Sequence, residues 1–215
     1  MPEAFDAELE ILIGDLARIV RLVGQMMADA STALHQADLR LAEMVISGAD
    51  EMKDLCDDTD RRCRDVLVVQ APAVATQLLR VVAAMQAVGD VKRMCNLAQH
   101  IAKVARLKHP GMPIPPGVVP MSTRMGVLAA SLARDAAAAI ESRDAMSGDR
   151  LEQADDEVDA LRRRIFRILF SEDWSHGVEP AVDTALIGRY YERFADHAVA
   201  IARQVSVLVT GLPPK

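Results

Sequence analysis

Proline constrains this chain more than any other residue. A proline inside a helix removes a backbone hydrogen bond and clashes with the turn before it, so proline-free stretches are where long helices can form. Five of the ten prolines crowd into residues 110–120, PGMPIPPGVVP, which predicts an extended linker. Pro72 and Pro180 punctuate the two sides of it, and Pro213 and Pro214 lie at the C-terminal end. The stretches between repeat apolar residues every three or four positions, the period of a helix with one buried stripe. Hydrophobic residues make up 51% of the sequence and aromatics only 3%, so Ala, Leu, Val, Ile and Met must fill the core. That mix favours helix over sheet.

The linker divides the chain into residues 1–109 and 121–215, and the halves resemble each other. Ser47-Gly48 recurs as Ser147-Gly148, and Asp57 to Asp60 recurs loosely as Asp156 to Asp159. Lys92 to Ala102 then lines up with Glu192 to Ala202, at nearly the same offset. Three segments in one order at one offset indicate a duplication. Each half reads as three helices, at 5–46, 49–69, 73–108, then 121–146, 149–170 and 179–209. Gly48 and Gly148 are expected to cap helix C-termini, and Pro180 suits a first helical turn. The expected fold is all-α, two tandem three-helix bundles.

The formal net charge of −6 and the scattered aromatics argue against nucleic-acid binding. The first twenty residues are acidic rather than basic, unlike a signal peptide. Val66–Leu79 is uncharged but too short for a membrane span and contains Pro72. These features predict a cytoplasmic protein. Cys56, Cys63 and Cys95 are odd in number and lack CxxC spacing, so they are expected to be reduced, buried thiols.

In the last helix Ile187, Tyr191, Phe194, Ala198, Ile201, Val205 and Leu208 set the buried stripe. Glu192 and Asp196 then fall on the opposite side, one helical turn apart, flanked by Arg189 and Arg203. In the fifth helix Asp156, Asp159 and Arg163 lie away from the stripe, with Asp155 nearer its boundary. Packed antiparallel, these helices could bring their acids together as an oxygen-rich site for a hard or borderline metal ion. The same spacing also describes two ordinary solvated faces.

The run Arg189-Tyr-Tyr-Glu-Arg-Phe-Ala-Asp-His-Ala-Val199 resembles the second signature of PhoU proteins, an acid, three residues, then Asp-His-Ala. Asp155-Asp-Glu-Val-Asp-Ala-Leu161 is similar to that family's acidic motif, and Glu172-Asp-Trp-Ser-His-Gly-Val178 to the turn of its actinobacterial members. The resemblance covers nearly the whole chain. It implies a negative regulator of the phosphate-starvation response, not an enzyme. Such a protein links a phosphate ABC importer, through its ATPase subunit, to a membrane sensor histidine kinase, as a homodimer that meets the membrane only through its partners. It implies that no cofactor is required: some members carry a metal on the acidic motifs and others are found without one. A metal ion here, iron, zinc, magnesium or manganese, would sit at Glu192, Asp196, Asp156 and Asp159. The partner-facing residues would be Arg189, Glu192, Arg193 and Asp196. In the first half Lys92 and Asn96 replace the acid pair, so a docking role is expected there rather than a metal.

Two other readings start from the residues alone. A metal buffer or carboxylate-bridged di-metal enzyme would need donors such as Glu-x-x-His pairs, and none occurs. Met26, Met27, Met44, Met85 and Met94 could line a soft partner groove, or simply fill core. His100 and His197 sit beside apolar stripes and read as packing residues. No glycine-rich loop precedes a helix start, so phosphate control is expected to arrive through a partner.

Overall fold

The computed structural model describes residues 2–69 and 75–212. Six α-helices account for nearly all of them: α1 (Pro2–Gln36), α2 (Leu39–Val69), α3 (Ala75–Lys108), α4 (Val119–Ser142), α5 (Ser147–Leu169) and α6 (Val178–Thr210). No strand occurs among the described residues. The expected turn at Pro72 lies outside them.

Within each half the three helices pack on one another, α1–α3 and α4–α6. The halves also join along two seams, α1 against α4 and α3 against α6. At one end of the second seam Lys108 pairs with Asp183 at 2.6 Å, and at the other Arg80 Nε donates to Leu208 O at 2.6 Å, so α3 and α6 run antiparallel. A single hydrophobic cluster runs through both halves, from Phe5 and Leu9 to Phe194 and Leu208. α3 touches α1, α2 and α6, and α6 touches α3, α4 and α5. Each therefore buries a wider arc than one stripe, which a reading of isolated three-helix bundles does not anticipate.

The first turn departs from expectation. α1 ends at Gln36 rather than near residue 46, and Gly48 lies inside α2. The reversal is made by Ala37 in the left-handed region (φ 52°), closed by Asp38 N–H to Ala33 O at 3.0 Å. Asp38 Oδ1 then accepts from Leu41 N–H, capping α2. The second half repeats the device with Arg143 (φ 57°) and Asp144, whose N–H reaches Ala139 O. Residues without glycine's freedom cost about 1 kcal/mol in this conformation, so the glycine rule pointed elsewhere. Gly148 serves a different purpose: a Cβ there would stand 3.2 Å from Arg203 Cγ, and its absence lets α5 lie close on α6.

The proline segment also differs. It is folded onto the molecule rather than extended, with Ile114 and Val118 buried and Val118 N–H bonded to Pro115 O. Pro120 sits in the first turn of α4, where its missing N–H has no consequence. Met27 and Met94 are core, whereas Met44 is exposed, so the methionines form no common groove.

Candidate functional site

The acids of the second half meet where α5 crosses α6, but not as the spacing predicted. Glu192 faces inward, 7% exposed, because α6 is covered by α5 on the side that spacing assigned to solvent. Both its carboxylate oxygens accept from Arg189 Nη1, and Arg162 Nη1 of α5 stands 3.9 Å away. Asp196 and Asp156 are exposed. Asp159 pairs with Arg163 at 3.4 Å, and Arg203 turns to Glu152 at 2.7 Å rather than to the cluster.

The centre of the cluster is Asp155, which spacing left at the boundary. Its Oδ1 is buried and meets no hydrogen-bond donor among the described residues. Burial first, then repulsion from Asp196, Asp159, Glu192 and Asp156, pushes its carboxyl up to about 7. Spacing sets Asp155 nearer the apolar boundary than Asp156 or Asp159, but its depth depends on how α5 lies against α6, which spacing does not give.

The donor set is chemically suited to a hard or borderline cation, and the unpaired Asp155 Oδ1 is the atom such an ion would satisfy. Against it stands the guanidinium of Arg189 on Glu192. Among the described residues no three His, Cys, Asp or Glu converge at a common metal-binding point. In this arrangement the arginines do the neutralising.

The matching place in the first half is closed. Lys92 of α3 pairs with Asp57 of α2 at 2.6 Å, which holds the Asp57 carboxyl below its usual range. Asp60 pairs with Arg64. Asp90 receives Arg93 at 3.1 Å and lies 3.0 Å from His197 Nδ1 across the α3–α6 seam. His197 is thus a link between the halves, and His100 stacks on Tyr190 along the same seam with ring centroids 5.2 Å apart. Cys56, Cys63 and Cys95 are buried and unpaired, and burial raises the first two thiols to about 12, out of reach of thiolate chemistry at neutral pH.

On the outer surface of α6, Arg193 and Asp196 are exposed and Arg189 half exposed. Arg193 makes no ion pair among the described residues. No helix among them is long and apolar enough to cross a membrane.

Comparison with known proteins gives a consistent picture. A family model described as the PhoU domain matches residues 16–105 and again 122–205, on either side of the proline segment. The chain is 40% identical to the phosphate-specific transport system accessory protein PhoU homolog 2 of Mycobacterium tuberculosis, over 100% of both chains. It is 39% identical to PhoU homolog 1 of Mycobacterium leprae, over 100% of this chain and 96% of that one. Its structure resembles that of PhoU from Pseudomonas aeruginosa with a TM-score of 0.86 at 25% identity, covering 95% of this chain and 98% of the other. The fold also matches the phosphate transport system regulatory protein PhoU from Streptococcus pneumoniae, with a TM-score of 0.84 at 22% identity.

Proposed function

The chain belongs to the PhoU family, and from that membership we propose that it is an accessory regulator of phosphate uptake that restrains the phosphate-starvation response. The observation that carries this reading is the full-length 40% identity to a phosphate-specific transport system accessory protein. Its partners would be the ATPase subunit of a phosphate ABC importer and a sensor histidine kinase, and its work would be docking rather than chemistry.

The geometry gives docking a physical form. Arg189, Arg193 and Asp196 offer mixed charge on a helix whose other faces are held by α3, α4 and α5. Buried Glu192 is a positioning residue: it fixes Arg189 from below and is itself hidden from a partner. Such a surface couples two partners only if it binds one state of each better than another.

Deleting the protein from its host is expected to switch on phosphate-responsive genes in phosphate-rich medium. Re-expression of the wild type should restore repression, and Arg193→Glu should restore it poorly at equal protein level. Unchanged reporter expression after deletion removes this reading.

A second reading rests on the unpaired Asp155 Oδ1. Here Asp155, with Asp156, Asp159, Asp196 and Glu192, would hold a divalent cation that neutralises the cluster, and Arg189 would yield its place on Glu192. Elemental analysis of the purified chain should then find stoichiometric metal that Asp155→Asn and Asp196→Asn reduce. Metal-free wild-type protein, after growth and purification in metal-supplemented medium, excludes it.

A further inference from the structure

The seam between α1 and α4 opens near the α1–α2 turn into a groove of about 290 Å³. Ser31, His35 and Gln36 of α1 and Thr123, Gly126 and Arg134 of α4 line it, over a floor that includes Ala28 and Ala130. No aspartate or glutamate lines it among the described residues.

Its hydrogen-bond donors are largely unspent. The side chains of Thr123 and Gln36 make no hydrogen bond, and Arg134 no ion pair, among the described residues. Ser31 is the most telling. His35 Nδ1 stands 2.7 Å from Ser31 O, and a carbonyl only accepts, so Nδ1 carries the proton. Nε2, 3.0 Å from Ser122 Oγ, is then an acceptor for that hydroxyl. Nδ1 is therefore unable to accept from Ser31 Oγ, 3.4 Å away. Tyr191 Oη lies 3.0 Å from Ser31 Oγ. Either hydroxyl can donate across this contact, so of the two protons one is left without an acceptor among the described residues, beside a Ser31 side chain that is only 7% exposed and lines the groove. An unspent buried donor is costly unless a ligand takes it. Burial lowers the pKa of His35 and keeps its ring neutral, which preserves this arrangement of protons.

We propose that this groove binds a small oxyanion, a phosphate, sulfate or carboxylate group, through the Ser31 and Thr123 hydroxyls, the Gln36 amide and the Arg134 guanidinium. Donor-rich walls without a carboxylate suit an acceptor-only ligand, and the guanidinium supplies a charge-assisted bond to it. The expectation from sequence was that no such site exists, because anion sites were sought at glycine-rich helix starts. This one is assembled from the last turns of α1 and the first two-thirds of α4, antiparallel helices from the two halves of the chain, so its occupant would bridge the halves.

The test is calorimetric titration of the purified full chain with orthophosphate, sulfate and butyrate at fixed ionic strength. It is independent of any effect on gene expression. At least one anion should saturate, and the preferred one identifies whether a phosphate, sulfate or carboxylate group is read. Arg134→Met and Thr123→Val, both at exposed positions, should weaken binding, the former by about tenfold, the worth of one charge-assisted hydrogen bond. Arg40→Met, an exposed cation outside the groove, should bind as the wild type does. The proposal falls if none of the three anions saturates by about 10 mM, if Arg134→Met binds unchanged, or if Arg40→Met weakens binding equally.

Discussion

Gly126→Val is expected to lower folding stability by about 3 kcal/mol, the upper range for overpacking a tight helix contact. A Cβ at position 126 would stand 2.1 Å from Ser31 Oγ, 2.9 Å from Ser31 Cβ and 3.2 Å from the Tyr191 ring. Ser31 is held there by its bond from Tyr191, and Tyr191 is fully buried, so neither side chain can step aside cheaply. α1 and α4 must separate instead, and with them one of the two seams that join the halves. Gly126→Ala should be milder, because alanine regains about 1 kcal/mol of helix propensity against its smaller clash. Gly14→Ala, where a Cβ meets nothing within 4 Å, should be neutral or stabilising. Urea denaturation of the three variants measures the order. Equal stability for Gly126→Val and the wild type would mean that the seam is not close-packed.

Asp155→Asn is expected to stabilise the protein at pH 8 and to flatten its dependence on pH. The folded-state carboxyl is raised to about 7 by burial and by its acidic neighbours, against about 3.9 in an unfolded chain. Between those values the folded protein keeps a proton that the unfolded chain has released. Stability from this group is therefore complete below about pH 4 and is lost as pH rises toward 7. Asparagine cannot ionise and removes the loss. The side chain is only half buried, and solvent screening reduces the full linkage value, leaving a gain of about 1–2 kcal/mol above pH 7. Measured in chelator, the difference in stability between variant and wild type should grow from pH 4 to 7 and then level. A difference that stays constant across that range would place Asp155 in water.

The six helices were legible because proline and a three-to-four residue apolar period act locally. Pro180 opens α6 and Pro120 opens α4 for the same reason, a ring that fits only the first turn. The α1–α2 turn was not legible, because it is made by Ala37 and Asp38 while the nearby Gly48 carries the usual signal for a helix end. The proline segment was misjudged for want of tertiary information: what folds it back is the burial of Ile114 and Val118 against helices distant in sequence.

The site was legible in composition and not in orientation. Glu192 was assigned to solvent by the angle it makes with Tyr191 and Phe194, a valid argument for a helix with one covered side. α6 has three covered sides, and the acid ends under Arg189 and Arg162. Asp155, identical in residue type to Asp156, is distinguished from it only by depth. The substitution of Lys92 for an acid was readable directly, and its bridge to Asp57 is what opposite charges on adjoining helices produce. The oxyanion groove lay wholly beyond sequence reasoning, since its walls come from positions about ninety residues apart.

The two seams have a mechanical consequence. A core that runs unbroken from Phe5 to Leu208, stitched by His197 to Asp90 on one side and by His35 to Ser122 on the other, leaves no joint about which the halves could swing. Packing along two seams opposes a clamp-like motion of one half against the other. Under the docking reading proposed above, a distinction between neighbouring proteins would come from how well their shapes match one fixed template, with the moving parts supplied by those neighbours.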